Sequence, residues 1–102
     1  MIKHIVMWDV MGASAAEKRT SARTIKRLFE SLAGQIPGLR RIEVGIDTSG
    51  ANYACDVVLY SEFETAEALQ AYAEHPAHLH VREAIGGMRI ARHQVDYAPD
   101  DE

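Results

Sequence analysis

Two strand-like stretches that are apolar on both faces limit the fold more than any other feature of this chain. Met1 to Val10 alternates as a strand should, with Ile2, His4, Val6, Trp8 and Val10 on one side. The other parity is not polar, because Ile5 and Met7 stand between Lys3 and Asp9. Ala54 to Ser61 repeats the pattern through Val57-Val58-Leu59-Tyr60. An antiparallel sheet with one face in water alternates more cleanly than this. Something must cover the second face.

The intervening elements follow from spacing. Gly12 ends the first strand, and Ser14-Ala15-Ala16-Glu17 has the pattern of a capping box, which satisfies the free N–H groups of a helix start. Ala22, Ile25, Leu28, Phe29, Leu32 and Ile36 recur at steps of three and four, predicting one helix with a single apolar stripe. Lys18, Arg19, Arg23, Lys26 and Arg27 form its wet face, and Gly34 with Pro37-Gly38 supplies a stop and a tight turn. A second strand carries Ile42, Val44 and Ile46 on one face, and the polar stretch Asp47 to Asn52 is short enough for a hairpin connection. Thr65 is placed to cap a helix whose buried side is Leu69, Tyr72 and Ala73. Ala77, Val81, Ala84, Ile85 and Met88 then keep helical spacing up to Gly86-Gly87, and a last strand occupies about residues 89–97.

This order predicts an α+β chain: a ferredoxin-like βαββαβ subunit with an extra short helix and a four-stranded antiparallel sheet. Right-handed crossovers put the helices on one face. Ile5, Met7, Val58 and Tyr60 lie on the parities the helices leave bare, and stacking two such sheets in a two-fold homodimer, a dimeric α/β barrel, would dry them. Length predicts one domain, residues 1–98, followed by an acidic tail, 99–102, frayed and without function.

Candidate chemistry gathers in Tyr72-Ala73-Glu74-His75-Pro76-Ala77-His78-Leu79-His80, where three of the five histidines fall within six residues. A residue before proline avoids the helical region, so the helix carrying Tyr72 should stop near His75. Pro76 can open the next helix at its first position, where a missing N–H costs nothing. His78 then sits in the first turn of that helix, where the positive end of the backbone dipole favours the neutral imidazole a general base needs. A neutral His78 can remove a proton α to a carbonyl while Tyr72 donates to the enolate oxygen. His4 shares its parity with Val6 and Trp8 and can orient a substrate oxygen in the same space. Trp8, Phe29, Leu59 and Leu69 would line a pocket for a small hydrophobic or carbonyl ligand, with His75 as a further binding residue. Each of these residues also has a packing reading: His75 as a cap at the helix break, Tyr72 as part of an apolar stripe, His4 and His78 as satisfied core histidines.

Other classes are excluded or left without support. The net charge of −4 and the lack of a basic run argue against nucleic acid. His75, His78 and His80 do not share a helix face, and no H-E-x-x-H or cysteine cluster is present, so no metal is expected. The lone Cys55 excludes an internal disulfide and has no nearby cation to favour a thiolate. There is no glycine-rich phosphate loop, and no cofactor is expected. No signal-peptide pattern or membrane-length apolar run appears, so a cytoplasmic protein with no membrane association is expected.

Ile2-Lys3-His4-Ile5-Val6-Met7-Trp8, Ile36-Pro37-Gly38-Leu39, the strand from Val57 to Phe63, Tyr72, His75-Pro76-Ala77-His78 and Val95-Asp96-Tyr97 together resemble the stress-responsive dimeric α/β barrel family, Dabb, over residues 2–97. The resemblance implies a ferredoxin-like subunit and a homodimer made by sheet packing. Plant polyketide cyclases of similar sequence use a histidine and a tyrosine of this region for a cofactor-independent aldol condensation. The resemblance maps that pair onto His78 and Tyr72, and their amino-terminal pocket histidine onto His4. Those cyclases have a further histidine on the third strand, where this chain offers Val57 or Cys55. Three functions follow as expectations: a lyase or cyclase acting on a small carbonyl compound, a non-catalytic binding or stress-related structural dimer, and, by fold analogy, a cofactor-free monooxygenase.

Overall fold

Strand β1 (Ile2–Val10) buries His4, Val6, Trp8 and Val10 and leaves Met7 exposed, so its even positions face the helices. A computed structural model describes residues 1–99; the tail Asp100-Asp101-Glu102 lies outside the described residues. Helix α1 (Ala15–Glu30) follows, then β2 (Leu39–Ile46) and β3 (Val57–Phe63). Helices α2 (Ala66–Glu74) and α3 (Pro76–Ile85), a 3₁₀ turn at Gly86–Met88, and β4 (Arg89–Tyr97) complete the chain. All pairings are antiparallel and the sheet order is β2-β3-β1-β4, the ferredoxin-like α+β arrangement.

Local chemistry sets the helix starts. The Ser14 hydroxyl accepts from Glu17 N–H at 3.2 Å, and Glu17 reaches back to Ala13 N–H at 2.9 Å, one residue before the usual partner of a capping box. Thr65 caps α2 by accepting from Ala68 N–H at 3.0 Å. Gly38, at φ 80°, must be glycine, because a Cβ there would lie 2.6 Å from that of Ala68.

Helix α1 is shorter than its apolar stripe. Leu32 and Ile36 are buried, yet they follow the helix end, in turns where Leu32 N–H donates to Phe29 O at 3.0 Å and Gln35 N–H to Leu32 O at 2.9 Å. Burial at helical spacing outlasts the helix because the chain still crosses the same core. Strand β3 likewise starts at Val57 rather than near Ala54, whose N–H is held in a turn by Ala51 O at 3.1 Å. On α2 only Tyr72 is buried; Leu69 is half-buried and Ala73 exposed.

The core lies between the helices and one sheet face: Ile25 and Phe29 of α1 and Val81 and Ile85 of α3 pack toward Val6, Leu59 and Phe63. The opposite face of the sheet is uncovered in the single chain. Pairing registers Ile5 with Tyr60 and Val95, and Met7 with Val58, as an apolar strip across three strands. Val95 and Tyr97 are 51% and 43% exposed.

Candidate functional site

The break at proline positions the site. His75 has an extended backbone (φ −68°, ψ 136°), ends α2 and begins α3, and its Nδ1 accepts from Ala77 N–H at 3.0 Å. That nitrogen is spent on the cap, and His75 does not line the cavity described below. His80 is exposed on the outer side of α3.

His78 folds back instead toward the preceding helix. Its Nδ1 lies 3.2 Å from Ala73 O. A carbonyl only accepts, so Nδ1 carries the proton and a neutral ring keeps its lone pair on Nε2. Burial, with Arg82, Arg89 and His4 nearby, moves the imidazole pKa below its ordinary value, although the bond to Ala73 opposes this. His78 is therefore held as a neutral imidazole at neutral pH.

The Tyr72 ring lies 4.2 Å from that of His78 and 5.0 Å from that of Phe63, centroid to centroid. The residue is 3% exposed, and its hydroxyl is buried without a hydrogen-bond partner among the described residues. Burial raises the phenol well above its ordinary pKa, against the pull of Arg89 and Arg92, so it stays protonated. A buried, unpartnered hydroxyl costs on the order of 1–3 kcal/mol. Such a group in a native protein calls for an explanation, and a ligand oxygen supplies one.

His4 stands on the sheet side of the same space, its ring 6.2 Å from that of Tyr72. Its Nδ1 pairs with Asp96 Oδ1 at 2.5 Å across β1 and β4, which fixes the ring and leaves Nε2 for a ligand. His4, Tyr72 and His78 line one cavity of about 220 Å³ between sheet and helices. Trp8, Phe29, Leu59 and Leu69 line it too. The volume is below the roughly 300–1,000 Å³ of drug-sized sites, which fits a small ligand.

Three arginines that sequence reasoning missed also reach this cavity: Arg82 of α3, and Arg89 and Arg92 of β4. The Arg89 guanidinium lies 4.7 Å from the Trp8 ring centroid and 5.8 Å from that of Phe29, and the two rings stack on each other at 5.6 Å. A signal was present. In the last strand the apolar Val95 and Tyr97 belong to the bare face, so Gln94 and Asp96 present polar groups on the face turned toward the core. A core-side polar row is unusual and marks a lined cavity.

Cys55 is outside this cavity, and burial, with Asp9 and Asp56 nearby, raises its thiol pKa, which disfavours a nucleophilic thiolate. Among the described residues no three His, Cys, Asp or Glu side chains gather into a metal-ligating set, and no helix is long and apolar enough to cross a membrane.

The fold and the cavity define a ferredoxin-like α+β protein with a histidine–tyrosine cluster set between its helices and its sheet. The chain belongs to the stress-responsive A/B barrel domain family, Dabb, whose model matches residues 2–99. It is 37% identical over 79 residues to the uncharacterized protein SCO4036 of Streptomyces coelicolor, covering 76% of this chain and 79% of that one. A dimeric ferredoxin-like protein of unknown function from Bacteroides fragilis superposes with a TM-score of 0.83 at 30% identity, covering 94% and 93% of the two chains. Hydroxynitrile lyase from Passiflora edulis superposes with a TM-score of 0.76 over 94% and 90% of the chains, but at 13% identity that likeness is one of fold alone.

Proposed function

We propose that this protein is a homodimeric, cofactor-independent lyase or cyclase acting on a small carbonyl compound, with His78 as base and Tyr72 as hydrogen-bond donor. The observation that carries this is the unpartnered Tyr72 hydroxyl beside a neutral His78 in one cavity between sheet and helices. His78 Nε2 takes a proton α to the substrate carbonyl, the C–H electron pair moves into the enolate, and its oxygen accepts from Tyr72 O–H. The imidazolium keeps its Nδ1–H on Ala73 O. It then returns the proton to the alkoxide formed when the enolate carbon attacks a second carbonyl, so no net charge or electron is required from outside. His4, held by Asp96, orients a substrate oxygen.

The apolar strip across β3, β1 and β4 supports pairing through sheet faces, and the Bacteroides fragilis relative is described as dimeric. A second reading, a non-catalytic dimer that binds a small molecule in the same cavity, draws on the tight packing of Tyr72 between Phe63 and His78. A screen of small β-keto and aromatic compounds for thermal stabilisation, followed by assay of each hit for turnover, separates the two. Stabilisation without turnover favours the second reading, and no stabilising compound removes both.

A further inference from the structure

The strongest feature that the His–Tyr chemistry leaves unused is the set of arginines. Arg89 and Arg92 are three residues apart, and a regular strand would point them to opposite faces. Both line the cavity because β4 is bulged: Met7 pairs with His93 but Asp9 pairs with Ile90, and Ala91 takes φ 53°. A non-glycine residue in that conformation is strained, and the bulge it occupies brings the second guanidinium to the cavity side of the strand. Arg82 joins them from α3.

Among the described residues none of the three arginines makes an ion pair. Among the described residues Asp96 is the one carboxylate lining the cavity, and both of its oxygens are engaged, Oδ1 by His4 and Oδ2 by Gln94 Nε2 at 3.0 Å. Arg92 donates to the Gln94 carbonyl oxygen, a neutral acceptor. Arg89 is half-buried beneath aromatic rings, and its pKa is lowered by that burial and by Arg92 and Arg82. Three like charges around one part-open cavity, Arg89 half-buried and Arg82 and Arg92 exposed, repel one another, and a bound anion would offset that cost.

We propose that the ligand of this cavity carries a carboxylate, held by Arg89 and Arg92 with Arg82 at the mouth, while its carbonyl lies toward Tyr72 and His78: the substrate class is a small keto acid with an apolar body. This rests on the cavity being the ligand site and needs no turnover. Guanidinium forks match carboxylate oxygens in pairs, and the Trp8–Phe29 stack offers a flat wall for an aromatic or branched aliphatic group.

The test is calorimetric titration of the full-length protein with benzoylformate, which has no α-hydrogen and so binds without reacting, against its neutral amide, benzoylformamide. The expected result is binding of the acid at least about tenfold tighter than the amide. That gap should close to within about threefold in Arg89→Gln and in Arg92→Gln, with unchanged circular dichroism. Arg82 and Arg92 are exposed, so R82Q and R92Q keep the proposal testable if R89Q does not fold. Equal binding of acid and amide would overturn the carboxylate assignment while leaving the cavity as a ligand site. Inorganic phosphate that binds as tightly as benzoylformate would overturn it too, marking an unspecific anion hole. No binding of either probe, with no hit in the β-keto screen, would remove the cavity reading and this one together.

Discussion

The rings of Tyr72 and His78 lie 4.2 Å apart although they belong to different helices, because the chain turns at His75–Pro76 and brings the first turn of α3 back against the last turns of α2. Nδ1 of His78 is fixed on the Ala73 carbonyl left free by that turn, so the helix break both orients the imidazole and satisfies a helix C-terminus.

His78→Ala should lower turnover of a β-keto substrate about 10²–10⁴-fold while costing only about 1 kcal/mol of stability, the loss of its bond to the solvent-exposed Ala73. Steady-state kinetics alongside calorimetry checks this. Large destabilisation with no activity to lose would place His78 among the packing residues.

Tyr72→Phe should move stability and activity in opposite directions. Removing a buried hydroxyl that has no partner raises stability by about 1 kcal/mol, whereas losing the donor to the enolate lowers kcat about 10²-fold. Denaturant unfolding that reports a loss larger than about 1 kcal/mol would mean that the hydroxyl has a partner in the protein.

The pH dependence follows from the direction of the His78 shift. A histidine whose folded pKa lies below its unfolded value of about 6.5 stabilises the fold fully above that value. The contribution is lost as pH falls from there through the lower folded pKa. The acid limb of kcat/KM should accordingly show a midpoint below 6.5 and a plateau at neutral pH. A midpoint at or above 6.5 for the wild type would contradict a base held neutral by burial.

Val95→Asp should convert the dimer to monomers without unfolding the subunit. Val95 is half-exposed in the single chain and aligned with Ile5 on the bare face, so a charge is tolerated there in the monomer and buried only on pairing. Sedimentation velocity at micromolar concentration reads the outcome, and an undisturbed dimer would move the interface elsewhere.

Much of this architecture is local in origin and therefore legible from residue order. Ser14, Thr65 and Pro76 act on their own neighbours, and the parities of β1 and β3 report which face is covered without any knowledge of the partner strand. The aromatic and aliphatic walls at Trp8, Phe29, Leu59 and Leu69 could be assigned for the same reason, since alternation and helical spacing state which way each side chain points. Those rules failed at the ends of elements, as at Leu32 and Ile36, where burial continues after the helix has stopped.

The order of elements, the proline break and the uncovered apolar face were determined by the chain itself, because each depends on interactions over a few residues or on strict periodicity. Only tertiary structure decided that Arg89 joins Arg92 on the cavity side. Arg89 and Arg92 share a face because of a bulge at Ala91, a position with no glycine of its own to announce it, and His4 meets Asp96 across 92 residues of chain. Strand periodicity fixes direction only while the ladder is regular. One extra residue reverses it, and the pairing partner that accommodates that residue is known only once the sheet has formed.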